Sequence, residues 1–134
     1  MTAIINASTS SGITMTADNS GVMKLQSNGV TTNALAWVNF NGTGTVAIRS
    51  SYNVSSITDN GTGDYTINFT NALTDANYSA VVGGKIDETG GWGSLVGIAR
   101  TANSITTTSL RVTTANSAFS LYDYLVVNVA IFGN

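Results

Sequence analysis

The sequence contains no cysteine, no histidine and no proline, and charged residues make up only 9% of its 134 positions. Without cysteine there are no disulfides, no thiolate nucleophiles and no cysteine-ligated metals. Without histidine the commonest general base and the commonest transition-metal ligand are missing, which excludes Ser-His-Asp and Cys-His nucleophiles. We therefore expect a protein that is not an enzyme and that carries no cofactor or metal.

Strong charge of either sign is also missing. The net charge is −2 and the pI is near 4.5, so no basic patch is available for a nucleic acid. The first residues, Met1 to Asn6, lack the basic region and long apolar core of a signal peptide. No apolar run approaches the roughly 18 residues that a membrane span needs. We expect neither nucleic-acid binding nor membrane insertion.

Small hydroxyl and amide side chains dominate the composition, with 20 Thr, 15 Ser and 15 Asn beside 14 Gly. The hydrophobic content of 43% is too high for a disordered chain. Thr, Val, Ile and Tyr suit pleated, half-buried strands, whereas Gly and Asn suit tight turns. At this length we expect one all-β domain.

From position 36 onward the pattern is a string of short strands separated by turn signals. In Asp64–Phe69, for example, Tyr65, Ile67 and Phe69 share one face. This pattern is typical of a sandwich or a barrel, and we predict a single antiparallel β-sandwich over residues 36–134, jelly-roll-like in type. Asn71–Ala76 could form one short turn of helix. The predicted strands are Ala36–Phe40, Thr45–Arg49, Tyr52–Thr58, Asp64–Phe69, Tyr78–Val82, Leu95–Arg100, Ser109–Thr113 and Leu125–Phe132.

Residues 1–35 contain too few apolar side chains for a core of their own. We interpret them as an extended N-terminal arm that docks on the sandwich, on neighbouring subunits or on a lattice; a partly flexible arm is the alternative. The candidate docking residues are Ile13, Met15, Val22 and Leu25.

The acidic residues show no convincing catalytic pair. Asp59 and Asp64 stand at the two ends of one glycine-rich turn, which superficially resembles a calcium loop. However, the turn lacks the alternating acidic ligands and the distal Glu of an EF-hand. The favoured interpretation is a hairpin whose acids accept hydrogen bonds from local backbone amides.

The most unusual loop runs from Asp87 to Gly93 and surrounds a tryptophan with glycines. Asp87, Glu88 and Trp92 are therefore candidates for a subunit interface or for contact with a glycan, with simple packing over the end of the sandwich as a third option. Trp37, in an alternating strand, is predicted to lie in the core. The scattered arginines Arg49, Arg100 and Arg111 are expected to pair with acids.

The stretch Ala36–Phe69 resembles a segment that recurs in structural proteins of tailed bacteriophages, particularly aquatic and cyanobacterial ones, often near the ends of tail-fibre-like chains. The preceding Gly21–Gly29 resembles the lead-in found before such domains. The resemblance covers about residues 13–82, and the C-terminal third matches only in general character. It carries no catalytic motif, so no catalytic residue is transferred.

The resemblance implies a protein of the virion surface, usually a homotrimer. Receptor-binding tail fibres are typically much longer, so the short chain favours a capsid decoration (cement) or head-fibre protein that contacts the major capsid protein or other virion proteins. The alternative is a short tail-fibre or receptor-binding tip that recognises host surface glycans.

Overall fold

The computed structural model describes residues 25–27, 30–86 and 95–133. Over these residues the chain forms ten β-strands and no helix, which confirms the predicted all-β class. The strands are β1 (Gln26–Ser27), β2 (Val30–Thr31), β3 (Ala36–Asn41), β4 (Ala47–Tyr52), β5 (Val54–Gly61), β6 (Asp64–Phe69), β7 (Ser79–Lys85), β8 (Leu95–Ile98), β9 (Ser109–Ala115) and β10 (Val126–Phe132).

Eight of these strands form two four-stranded antiparallel sheets that pack face to face, and this confirms the β-sandwich. The first sheet has the order β4-β3-β10-β7, and the second has the order β5-β6-β9-β8. Strands β1 and β2 pair with each other. The pairs β3–β10 and β6–β9 join strands far apart in the chain, as the nested pairs of a jelly roll do, while the hairpins β3–β4 and β5–β6 each stay within one sheet.

The core follows from strict alternation along the central strands. In β6 the residues Tyr65, Ile67 and Phe69 point inward, and in β10 every second side chain is buried in the same way. Phe40 of the first sheet meets Tyr65 of the second edge to face, with ring centroids 5.2 Å apart. The buried cluster comprises Ala36, Val38, Phe40, Val54, Tyr65, Ile67, Phe69, Leu110, Val112, Tyr124, Val127, Val129 and Ile131.

A buried tyrosine hydroxyl ties the two sheets together at one end. The Tyr65 hydroxyl donates to Oδ1 of Asp123 (2.7 Å) and lies 3.0 Å from the carbonyl oxygen of Gly42. Oδ1 of Asp123 also accepts from the amide of Gly63 at 2.7 Å. A Cβ on Gly42 would lie 2.6 Å from the Tyr65 hydroxyl oxygen, so only glycine permits this approach. We call these contacts of Tyr65, Asp123, Gly42 and Gly63 the node. It joins the β5–β6 turn of the second sheet to the end of β3 and the start of β10 in the first.

Between β4 and β5 the chain passes from the first sheet to the second through one residue, Asn53. Its φ of 55° lies in the left-handed region, which asparagine tolerates better than most residues. The Asn53 side chain donates to the carbonyl oxygen of Leu35 (3.1 Å) and accepts from the amide of Asn71 (2.9 Å). Sequence patterning placed Tyr52–Thr58 in one strand, and the corner at Asn53 divides that stretch between β4 and β5.

Two further expectations are wrong. Residues 71–76 form no helical turn; they are bends that return the chain to β7, and Asp75 accepts the amide of Asn77 there. Trp37 does not lie in the core but is 38% exposed on the outer face of the first sheet. Its neighbours Ala36 and Val38 take the inward positions of β3, so the alternation turns Trp37 outward.

The arm prediction falls mostly outside the described residues. Ile13, Met15 and Val22 lie there, while Leu25 is 42% exposed and pairs with Thr32 across the β1–β2 hairpin. Leu35 is buried, and its amide donates to the carbonyl oxygen of Ile131. Docking by this segment stays a prediction.

Removal of the Tyr65 hydroxyl tests the node. In Tyr65→Phe, Asp123 loses a buried donor, so we expect the free energy of unfolding to fall by about 1–2 kcal/mol in urea denaturation. Tyr78→Phe is the matched control, because the half-buried Tyr78 hydroxyl donates in a longer bond, 3.2 Å to the carbonyl oxygen of Ser109, and contacts no carboxylate among the described residues. Equal losses in the two variants would contradict the special role of Tyr65.

Candidate functional site

The outer face of the first sheet carries a groove that crosses three strands. The pairing register aligns Trp37, Ala130 and Val81 in one row of β3, β10 and β7. The next row consists of Asn39, Asn128 and Gly83. We call the depression over these two rows the outer groove; its volume is about 410 Å³. The outward residues that line it are Trp37, Asn39, Val81, Gly83, Asn128 and Ala130.

Side-chain size creates the groove. Trp37 and the 60% exposed Val81 stand on either side, and the small Ala130 lies between them. At Gly83 an added Cβ would meet no atom within 4 Å, so the missing side chain leaves open space on the outer face. At the next residue, Gly84, a Cβ would lie 2.7 Å from the Tyr124 ring. Gly83 therefore faces the outer groove, whereas Gly84 faces the buried Tyr124.

A pair of side-chain amides forms the polar part of the groove. Nδ2 of Asn39 donates to Oδ1 of Asn128 at 2.5 Å. This bond leaves the side-chain oxygen of Asn39 (Oδ1) and the side-chain amino group of Asn128 (Nδ2) without partners among the described residues. One acceptor and two donors are thus available side by side to a ligand.

The groove lining contains no charged residue, and two cations of the described part of the chain lie beyond one end of it. Lys85 is on β7 opposite Val126, one row past the amide pair. The guanidinium of Arg49 donates to the carbonyl oxygens of Phe40 (3.0 Å) and Leu125 (2.6 Å). Arg49 therefore binds backbone carbonyls rather than the acid expected from sequence.

The outer face of the second sheet has a different chemistry, because its polar side chains bond to one another. Asn68 donates to the hydroxyls of Ser56 (3.1 Å) and Thr58 (3.0 Å). Arg111 donates two hydrogen bonds, of 2.8 and 2.6 Å, to the carboxylate of Asp64, and this pair is the predicted arginine–acid contact. The hydrogen bond from Arg111 and its positive charge lower the pKa of Asp64, against a smaller opposing effect of desolvation.

In the turn between Asp59 and Asp64, Asp59 behaves as the hairpin interpretation predicts, because its Oδ1 accepts a hydrogen bond from the amide of Gly61 at 2.9 Å. Asp64 is instead engaged by Arg111. In the described ranges no three acidic side chains cluster in a way that would hold a metal ion. Burial and the neighbouring Asp123 raise the pKa of Tyr65 well above its usual range, and burial raises that of Tyr78 to about 12, so both hydroxyls stay protonated at neutral pH.

An apolar patch lies at one end of the sandwich. Ala115 of β9 pairs with Leu95 on one side and with Leu121 on the other, so these three side chains share a face. In the turn that follows Ala115, Phe119 is 83% exposed. Its φ of 61° lies in the left-handed region, where a bulky residue is strained. We call Leu95, Ala115, Phe119 and Leu121 the end patch.

The predicted contact loop Asp87, Glu88 and Trp92 lies outside the described residues, in the connection between Lys85 of β7 and Leu95 of β8. Sequence reasoning missed the outer groove and the end patch. The exposure of Trp37 could have been predicted, because the apolar residues Ala36, Val38 and Phe40 occupy the opposite face of β3. The groove as a whole has no local signal, since its three strands meet only in the fold.

Comparisons with known protein families, with curated proteins and with solved structures find no significant match. Among the described residues, no helix has the length and apolar character needed to cross a membrane.

The Asp64–Arg111 pair generates a pH-dependent prediction. Because its folded pKa is lowered, Asp64 contributes stability above its unfolded pKa of about 4, and this contribution is lost as the pH falls through the folded pKa. We expect Asp64→Asn to lower the melting temperature by a few degrees at pH 7 and by less at pH 3. A double-mutant cycle with Arg111→Gln isolates the pair; coupling that is the same at both pH values would contradict this assignment.

Proposed function

We propose that the chain is a non-enzymatic structural protein of a tailed-phage virion, a capsid decoration (cement) or head-fibre protein that assembles as a homo-oligomer on the particle surface. The resemblance of Ala36–Phe69 to phage structural proteins supports the virion role. The sandwich supports it physically, because neutral hydroxyl and amide surfaces form directional contacts that depend little on salt.

The end patch is the observation that supports assembly as a homo-oligomer. An exposed phenylalanine in a left-handed turn is unfavourable twice over, since it exposes apolar surface and strains the backbone. The turn is nevertheless well formed, because Oδ1 of Asn116 accepts the amides of Ala118 (3.0 Å) and Ser120 (3.1 Å). Burial of Phe119 against another molecule would offset both costs.

We assign this contact to a second copy of the chain. Residues 115–121 carry no charge, so identical patches can meet around a symmetry axis without repulsion. A homotrimer would bring three copies of the patch together.

The second candidate function is a short tail-fibre or receptor-binding tip that recognises host surface glycans. The exposed tryptophan in the uncharged outer groove favours this alternative. A reconstruction of the particle separates the two: we expect sandwich density on the capsid exterior, whereas copies confined to the tail would support the alternative. Absence of the chain from purified particles would refute both.

Phe119→Gly tests the contact through two opposite effects. Glycine relieves the left-handed strain, so we expect the free energy of unfolding of the dissociated chain to rise by about 1 kcal/mol. The same change removes the apolar contact, so we expect sedimentation velocity over a concentration series to show weaker self-association.

Asn103→Gly is the matched control, because Asn103 is exposed with the same φ of 61° but lies outside the end patch. It should leave self-association unchanged. A wild-type chain that stays monomeric throughout, or a Phe119→Gly variant that sediments like wild type, would contradict the assigned contact.

A further inference from the structure

We propose that the outer groove binds a neutral oligosaccharide, with the Trp37 ring stacked on one pyranose and the Asn39–Asn128 pair bonded to two of its hydroxyls. This site rests on the second candidate function, glycan recognition, and names its ligand class and residues; it does not depend on the oligomer contact at the end patch.

Trp37 offers an apolar ring surface on a rigid support. It lies in β3, which is held between β4 and β10, so its backbone is fixed on both sides. The π-face of an indole carries partial negative charge, and the C–H groups on one face of a sugar ring carry partial positive charge. Presentation from a central strand keeps the orientation of the ring more constant than a loop would.

The amide pair supplies the complementary hydrogen bonds. The Asn39 carbonyl oxygen can accept from one sugar hydroxyl while the Asn128 amino group donates to the next. A hydroxyl group both donates and accepts, so two adjacent hydroxyls satisfy this arrangement without a charge on either partner. The uncharged lining therefore matches a neutral sugar better than an acidic one.

The same amides argue against a purely apolar occupant. A protein surface that covered Trp37 and Val81 with hydrocarbon would also bury the open acceptor of Asn39 and the open donors of Asn128. Each buried polar group left without a partner costs about 1–3 kcal/mol. A ligand that combines an apolar face with hydroxyls avoids this cost.

The dimensions fit one sugar ring across the groove. Strands β3 and β7 are separated by β10, which places them about 10 Å apart at ordinary strand spacing. The volume of about 410 Å³ lies in the lower part of the range for small-molecule sites. Because the groove is shallow and open, we expect weak binding by a single copy; several copies on one particle would strengthen it by avidity.

Gly83→Val tests the site by filling it. The new side chain meets no atom at its Cβ and suits a strand, so the fold should be retained while the floor of the groove is occupied. Gly97→Val is the matched control, because Gly97 is a strand glycine of the second sheet whose Cβ position is equally open. Trp37→Ala removes the stacking surface directly.

The probe is an array of neutral glycans built from glucose, galactose, mannose and N-acetylhexosamines, with uronic and sialic acid glycans beside them. We expect wild type and Gly97→Val to bind at least one neutral glycan. Gly83→Val and Trp37→Ala should lose at least about tenfold in affinity for that glycan in an NMR titration.

Three results would overturn the proposal: no neutral glycan bound above the Gly83→Val background, binding of acidic glycans alone, or altered sedimentation of Gly83→Val without a change in glycan binding. The last result would make the groove a contact between copies. None of the three bears on the Phe119→Gly experiment, so failure of the glycan site and failure of the oligomer contact are distinguishable.

Discussion

The hydrogen bond from the Tyr65 hydroxyl to Asp123 is the interaction on which the arrangement of the two sheets depends most. Hydrophobic contact holds the sheets together but does not set their relative position, since apolar surfaces can slide. The bonds from Tyr65 and Gly63 to Asp123 are directional, and they join the two sheets at one end. Asn53 marks the crossing between β4 and β5, so there too the chain changes sheet at a defined residue.

The sandwich presents three surfaces of different chemistry. Side chains on the second sheet satisfy one another, as Asn68 does with Ser56 and Thr58, so that face has little left to offer a partner. The outer groove keeps an open acceptor and open donors beside an aromatic ring. The end patch exposes the apolar side chains of Leu95, Phe119 and Leu121. This difference in chemistry is why we propose a hydroxylated ligand for the groove and another copy of the chain for the patch.

Period-two alternation was sufficient to predict β6 with its observed bounds and to place β3 and β10 within a residue or two, because each buries one face. It failed where a single residue changes the path of the chain, as at Asn53. The core prediction for Trp37 was wrong although Ala36, Val38 and Phe40 mark the apolar face of β3, because tryptophan is itself hydrophobic. The groove could not be predicted locally, since Trp37, Val81 and Ala130 become neighbours only through strand pairing. The Asp87–Trp92 hypothesis remains open.

Strand β4 contains a β-bulge, because the register of its pairing with β3 shifts by one residue. β4 is an edge strand, and such edges can recruit strands from other molecules into fibrils. The register shift opposite Asn39 and Phe40 leaves Arg49 as the extra residue, and its guanidinium is anchored to two backbone carbonyls. A charged, irregular margin is a poor template for further strands. This edge therefore disfavours amyloid-like pairing in a protein that is rich in β-forming residues and poor in charge.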